Sequence, residues 1–266
     1  MTVDKSFLIK KIQKRETMLV AYCGFTGMPL VVCDPETFND QVWIFETEAL
    51  LQEFAKKYTE KKILLRGIQY KNDQFLRFFS SLFTMGINEL VFVDEGATTT
   101  IELEELVKRP DYSKMKPQER PITNPELQLT GMYFMQEASR PVPNEEKENL
   151  KDLEEELAAN MVKSRYIIGI ELNEGPESDD EKLKSRKYKL PILKNKEGEI
   201  LQPIFTDPLE FQKFAKGKAA LKAIAVPYSE LAKLLVKDAK GYMLNPGGYH
   251  ILMPRELLVG LSKRFQ

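Results

Sequence analysis

The sequence is poor in cysteine and histidine, and each shortage excludes a class of protein. Only two cysteines, Cys23 and Cys33, occur in 266 residues, so a disulfide-stabilised extracellular scaffold is not expected. We predict that both are reduced thiols in the core rather than a functional redox pair. His250 is the only histidine, which excludes a multi-histidine metal site and favours a structural or surface role.

An excess of charge of one sign is also lacking, as are long hydrophobic runs. The chain carries 39 basic and 40 acidic residues, with a formal net charge of -1, so composition shows no basic excess of the kind typical of nucleic-acid binding. No apolar run approaches the ~20 residues that span a bilayer, and residues 1–14 lack the apolar core of a secretion signal. We therefore expect a cytoplasmic protein that binds neither nucleic acid nor membrane.

Sequence motifs for cofactor and metal chemistry are absent as well. The chain has no Gly-x-Gly-x-x-Gly loop, no phosphate-binding loop and no Gly-x-Ser-x-Gly elbow, so neither a nucleotide cradle nor a serine hydrolase is indicated. The acidic runs Glu154–Glu156 and Asp179–Glu181 lack the alternating ligands and central glycine of a calcium loop, which favours solvated faces. We predict no catalytic residue, no cofactor and no metal site, and a protein that is not an enzyme.

What is present is an alternation of strand-like and helix-like segments. The segment Thr47–Tyr58 has helical spacing, with the Thr47 side chain as its N-cap. The aromatic stripe Phe75–Phe83 also has helical spacing and predicts core packing, with an exposed partner-binding patch as the alternative. We further expect a strand at Ile63–Leu65 and a helix at Ile101–Val107. The fold class is therefore α/β, a mixed sheet with hairpins and helices.

Prolines set one stretch of the chain apart. Residues 110–144 contain Pro110, Pro117, Pro121, Pro125, Pro141 and Pro143. We expect them to prevent a long helix and to disfavour a central strand, although Leu129–Met135 is apolar enough to dock on a neighbouring surface. The sequence thus predicts a first α/β unit at 1–109, a proline-rich connector at 110–144, and a second unit with a leading helix at 145–266.

The two predicted units share a sequence repeat. Residues 44–56 (IFETEALLQEFAK) and 204–216 (IFTDPLEFQKFAK) are identical at six of thirteen positions. The order of predicted elements around them is also shared, and residues 93–96 align with residues 244–247. We predict two similar α/β units that arose by internal duplication. The alternative is one larger mixed domain with coincidentally similar elements.

Two segments of the second unit are candidates for a site. Thr206 and Asp207 end a predicted strand just before Pro208, an arrangement typical of a helix N-cap, with a helix-terminus binding site as the alternative. The turn Asn245–Gly248 supplies flexible backbone that fits either a structural turn or a ligand loop. The candidate ligand or partner surface therefore comprises Thr206, Asp207, Asn245, Gly247 and Gly248.

These same segments carry a family resemblance. The stretch Gln202–Phe211 (QPIFTDPLEF) and the later Leu244–Gly248 (LNPGG) resemble the SseB family, in particular its N-terminal domain. The resemblance is clearest over residues 166–261, with a looser second copy in residues 18–107. It implies the fold, and it implies no catalytic activity or cofactor.

The functional expectation follows mainly from what is missing. We expect a non-catalytic protein-interaction or scaffold module that binds a protein partner, or itself, through sheet edges and the cleft between the two predicted units. The alternative is a small-ligand sensor or enzyme with a site near Thr206, Asp207 and the 245–248 turn. A deep cleft with convergent polar groups would favour that alternative, and a filled site would count against it.

Overall fold

A computed structural model describes residues 5–172, 188–218 and 221–265. The acidic run Asp179–Glu181 lies outside these residues. The first elements are α1 (Lys5–Gln13), β1 (Thr17–Cys23), β2 (Val31–Cys33), β3 (Asp40–Phe45), α2 (Glu48–Glu60), β4 (Leu65–Lys71), α3 (Asn72–Thr84), β5 (Glu89–Val93), β6 (Thr98–Glu102) and α4 (Leu103–Leu106). They are followed by α5 (Pro125–Ala138), α6 (Leu150–Lys163), β7 (Arg165–Leu172), β8 (Tyr188–Lys189), β9 (Leu193–Lys194), β10 (Ile200–Phe205), α7 (Pro208–Ala215), β11 (Leu221–Pro227), α8 (Tyr228–Leu234), β12 (Ala239–Leu244), β13 (Ile251–Pro254) and α9 (Arg255–Arg264).

The chain forms two compact units, each with its own mixed sheet. One unit comprises Met1–Arg120 and Pro125–Leu157, and the other comprises Pro121–Asn124 and Ala158–Gln266. The first sheet has the order β4-β1-β3-β5-β6, with β2 beside β3, and the second has the order β11-β7-β10-β12-β13, with β9 beside β10 and β8 beside β7. The predicted α/β class with two similar units is confirmed. That residues 110–144 serve as a connector between the two units stays a prediction.

The strand register shows which positions correspond. In each sheet one central pair is parallel, and its neighbours are antiparallel. Ile44 lies opposite Phe92, and Ile204 lies opposite Leu244. Because Ile44 and Ile204 occupy the same place in the repeat, Val93 corresponds to Asn245. The sequence alignment of residues 93–96 with 244–247 is therefore wrong by one residue.

The core of the first unit lies on both faces of its sheet. On one face, Phe54 of α2 packs against Trp43 and Phe45, with ring centroids 4.6 and 5.1 Å apart. The predicted aromatic stripe of α3 packs in the core, since Phe75, Phe78, Phe79, Leu82 and Phe83 are all buried. The core interpretation of this stripe is confirmed.

The proline-rich stretch contains a helix that was not expected. Helix α5 runs for 14 residues from Pro125, a position where proline fits because the first-turn amide has no helical partner. The Gln136 side chain bonds both the amide and the carbonyl of Val31 in β2, at 2.9 and 3.0 Å. The expectation that prolines prevent a long helix here is wrong, since none occurs between Pro125 and Pro141.

Three other expectations need correction. The strand expected at Ile63–Leu65 begins only at Leu65, as β4. The helix expected at Ile101–Val107 is the end of β6 followed by the short α4. Cys23 is buried as predicted, but Cys33 is exposed, because it ends β2 beside the β2–β3 turn.

Candidate functional site

The predicted site residues Thr206 and Asp207 lie where β10 leads into α7. Asp207 is the N-cap, as predicted, and its Oδ1 accepts hydrogen bonds from the amides of Leu209 and Glu210 at 2.8 and 3.1 Å. Pro208 occupies the first turn of the helix. The Asp207 carboxylate also accepts a 2.7 Å bond from the Thr206 hydroxyl. The negative side chain thus satisfies amides at the positive end of the helix.

The Asn245 side chain joins this junction to the end of β12, the strand that lies beside β10 in the sheet. Its Oδ1 accepts the Thr206 amide at 3.0 Å, and its Nδ2 donates to the Thr206 hydroxyl at 2.9 Å. The Thr206 carbonyl accepts from the side chain of Asn124, which also donates to the carbonyl of Arg165. Threonine therefore has its amide, carbonyl and hydroxyl all bonded. This arrangement links β7, β10, β12 and the start of α7.

The predicted cluster is buried rather than open. Thr206, Asp207 and Asn245 each have 0% of their surface exposed. Gly248 is also buried and donates its amide to the Asn245 carbonyl at 2.8 Å, whereas Gly247 is exposed. The structure brings four of the five predicted residues into one bonded group, in which the Thr206 side chain bonds those of Asp207 and Asn245. That the cluster binds a ligand or partner stays a prediction.

Two ionisable groups line this junction without full hydrogen bonding. Glu210 is buried, and although its Oε1 accepts from Lys213, its Oε2 has no hydrogen-bond partner among the described residues. Burial raises the pKa of Glu210, with Lys213 opposing and Asp207 adding to the rise. Burial also raises the pKa of the Tyr249 hydroxyl well above its usual range. Both groups thus favour their uncharged forms relative to water.

The corresponding junction of the first unit is built from charges. Glu46, which corresponds to Thr206, forms an ion pair with Arg15 and lies 3.9 Å from the Lys11 ammonium. Lys11 also pairs with Asp94 at 2.7 Å. These side chains are partly exposed. Thr47 is the N-cap, as predicted, and accepts a single amide, that of Leu50, at 3.4 Å.

An exposed aromatic residue stands out at the β2–β3 turn, residues 34–39, which we call the Phe38 hairpin. Phe38 has φ 58°, a left-handed conformation that a bulky side chain rarely adopts. Its side chain is 76% exposed, so contacts within the unit do not explain the strain. Asp34 braces the loop, because its Oδ1 accepts the amides of Glu36 and Thr37 at 2.8 and 3.0 Å.

The second unit forms a similar hairpin that is one residue shorter and has a glycine at this place. Asn195 bonds across the turn to Glu199 at 3.1 Å, as Asp34 bonds to Asn39 at 2.9 Å. The Asn195 Oδ1 also braces its loop, by accepting the amides of Glu197 and Glu199 at 3.1 and 2.8 Å. Gly198, with φ 79°, corresponds to Phe38. Glycine adopts this conformation without strain, so the first unit carries phenylalanine where its own fold favours glycine.

The described part of the chain holds neither a metal-binding cluster nor a membrane-spanning helix. No group of three or more histidine, cysteine, aspartate or glutamate side chains there could hold a metal ion. None of its helices has the length and apolar character needed to cross a bilayer.

Comparison with known proteins gives one match, which covers part of the chain. Residues 146–258 match the family model described as the SseB protein N-terminal domain. This match confirms the predicted resemblance over the second unit. The looser copy predicted in residues 18–107 is not part of the match. No curated protein and no solved structure matches the chain.

Several residues of these sites were missed from the sequence. Asn124 lies in the proline-rich stretch, and its partners are 41 and 82 residues away along the chain. Glu210 fits the pattern of a helix and Tyr249 that of a strand, so neither residue shows in the sequence that its side chain lines a buried site. Phe38 could have been found by aligning the two hairpins, since a phenylalanine opposite the glycine of Asn195–Gly198 is unusual in a tight turn.

Proposed function

We propose that this protein is a non-catalytic, cytoplasmic protein-interaction module, and that the Phe38 hairpin is one of its contact surfaces. The observation that carries the proposal is a strained, exposed phenylalanine at a position that the second unit fills with glycine. The strained conformation costs about 1 kcal/mol. Such strain persists where the residue has a use outside its own fold, and exposed aromatic side chains are the usual anchors of protein interfaces.

The surroundings of Phe38 define the partner surface that would fit. Residues 34–40 contain three acidic residues, Asp34, Glu36 and Asp40, and no basic one. The amides of Thr37 and Glu36 hold the pKa of Asp34 below its usual value, so its carboxylate is ionised at neutral pH. The expected partner therefore offers an apolar pocket with a basic rim.

The experiment is quantitative capture from a cell extract with the immobilised full-length chain. Phe38→Gly removes the aromatic ring and is expected to relieve the strain, and circular dichroism checks that the variant is folded. Phe7→Ala is the matched control, because Phe7 is 66% exposed on helix α1. We expect captured partners to fall at least about fivefold with Phe38→Gly and to be unchanged with Phe7→Ala. Equal capture by Phe38→Gly, or no specific partner of the wild type, would contradict the proposal.

The alternative is a small-ligand sensor or enzyme near Thr206, Asp207 and the 245–248 turn. One observation favours it, the buried Glu210 carboxyl with its raised pKa, since displaced pKa values are common at functional sites. Against it, the polar side chains of this cluster bond one another and are buried. Interaction through the exposed hairpin therefore has the stronger support.

A further inference from the structure

Strand β4 ends the first sheet and leaves one edge open. It pairs with β1 along its whole length, Leu65–Lys71 against Thr17–Cys23. It is the terminal strand of its sheet, so no strand among the described residues covers its outer edge. The Gly24 amide bonds the Leu64 carbonyl. Since the bonds of an antiparallel ladder alternate, the main-chain groups of Gly67 and Gln69 point away from β1.

The side chains along this edge form an apolar and basic stripe. Leu64, Arg66 and Ile68 alternate along the chain and therefore lie on one face. Leu64 is 54% exposed, Ile68 is 39% exposed, and Arg66 is exposed as well. An added strand would place its own alternate side chains beside these three.

Charge selects among the possible occupants of the edge. Residues 61–71 contain four basic residues, Lys61, Lys62, Arg66 and Lys71, and no acidic one. Two copies of this edge would repel each other, because like charges on adjacent strands are destabilising. An acidic segment would instead be attracted.

The second unit also has a basic residue at the position equivalent to Arg66. Strand β11 also ends its sheet. Its Ile224 lies opposite Ile168 as Ile68 lies opposite Val20, so Lys222 corresponds to Arg66. Lys222 is exposed. Both edge strands therefore carry an exposed cation at the equivalent place, although Ile224 is less exposed than Ile68.

We propose that β4 is a strand-addition site for an extended acidic segment of a partner protein. The segment would place apolar side chains beside Leu64 and Ile68 and a carboxylate beside Arg66. Main-chain bonds to Gly67 and Gln69 would supply affinity, as in other cases of strand addition. This inference rests on the proposed protein-binding function, but it does not involve the Phe38 hairpin.

The test uses synthetic peptides and the full-length chain. The first is a blocked, fluorescent peptide that alternates valine and threonine around a central glutamate. The second has lysine in place of the glutamate, and the third is the glutamate peptide with methylated backbone amides on alternate residues. By fluorescence anisotropy we expect the glutamate peptide to bind about tenfold tighter than either of the others. Its affinity should fall several-fold on going from low salt to about 0.5 M salt.

Two charge-reversed variants sharpen the result. Arg66→Glu should reverse the preference, so that the lysine peptide binds more tightly than the glutamate peptide. Lys108→Glu makes the same charge change at an exposed position outside the strand and should leave the preference intact. Circular dichroism checks that both variants are folded. Equal binding of the three peptides, no saturable binding, or an unchanged preference in Arg66→Glu would overturn the proposal.

The outcome separates this inference from the proposed function. Phe38→Gly should bind the glutamate peptide as the wild type does. Capture that depends on Phe38 without any peptide binding would overturn only the strand-addition site. Peptide binding with unchanged capture by Phe38→Gly would overturn only the role of the hairpin.

Discussion

The junctions β3–α2 and β10–α7 occupy the same place in two sheets of the same order, yet they are built from opposite chemistry. At the first junction, Glu46 forms ion pairs that remain partly open to water. At the second, Thr206 and Asn245 form a fully buried hydrogen-bond network that also includes the Asp207 carboxylate. The difference shows that the same strand-to-helix junction can be held together either by partly exposed ion pairs or by buried hydrogen bonds. Only the buried version depends on every member, since an orphaned buried group is expensive.

The largest loss of stability is expected from a substitution that breaks the buried hydrogen-bond network. Asn245 has φ 48°, a left-handed conformation that glycine adopts without strain, so Asn245→Gly does not strain the backbone. The substitution does remove the side-chain bonds that Asn245 supplies to the amide and the hydroxyl of Thr206. We expect the second unit to lose about 3 kcal/mol of unfolding free energy. Urea unfolding followed by far-UV circular dichroism measures this loss.

The first unit supplies an internal control for that measurement. Trp43 is the only tryptophan and lies in β3, so its fluorescence reports on the first unit. The Trp43 transition should not move in Asn245→Gly. A loss below about 1 kcal/mol would mean that Asn245 is no more important than an exposed turn residue.

The next effect compares the two N-caps. Asp207 accepts two helix amides and the Thr206 hydroxyl, whereas Thr47 accepts one amide at 3.4 Å. Asp207→Ala should therefore destabilise its unit by about 2 kcal/mol, and Thr47→Ala by about 1 kcal/mol or less. Thermal unfolding of both variants gives the comparison. Equal losses would show that burial of the cap adds nothing to its contribution.

Local features of these junctions could be predicted from the sequence, and the long-range ones could not. The caps at Thr47 and Asp207, the repeat and the aromatic stripe of α3 are set by neighbouring residues and periodicity. Helix α5 was missed because its Gln136 contacts lie 105 residues away in the chain. Cys33 was misplaced because exposure depends on where a short strand ends. Phe38 was missed because its conformation is set by the turn, and its only sequence signal is the alignment of the two hairpins, which places it opposite Gly198.

A smaller effect contrasts the pH dependence of the two units. Burial raises the pKa of Glu210 above its usual 4.5. The protonated carboxyl therefore contributes stability to the fold that is fully present below pH 4.5, and this stability is lost as the pH rises through the raised pKa. For Asp94, burial opposes ionisation, but bonds from Lys11 and from the amides of Gly96 and Ala97 lower the pKa below 3.8. Its contribution is present above pH 3.8 and is lost as the pH falls through the lowered value.

The carboxyl variant of the second unit tests this contrast. Glu210→Gln should be more stable than the wild type at pH 7, by up to about 1 kcal/mol, and the difference should shrink towards pH 4. Urea unfolding between pH 4 and pH 8 follows the change. A wild type whose stability rises through this range relative to Glu210→Gln would show that the charged carboxylate is favoured in the fold.

The comparison of the two hairpins leads to the most direct test. The proposed function depends on the claim that Phe38 strains its own fold and is retained for contacts outside it. The measurement is the unfolding free energy of Phe38→Gly in urea, followed by Trp43 fluorescence. We predict an increase of about 1 kcal/mol, because glycine adopts the conformation seen at Gly198 without strain. A variant less stable than the wild type would show that Phe38 supports the first unit itself, and would contradict the account.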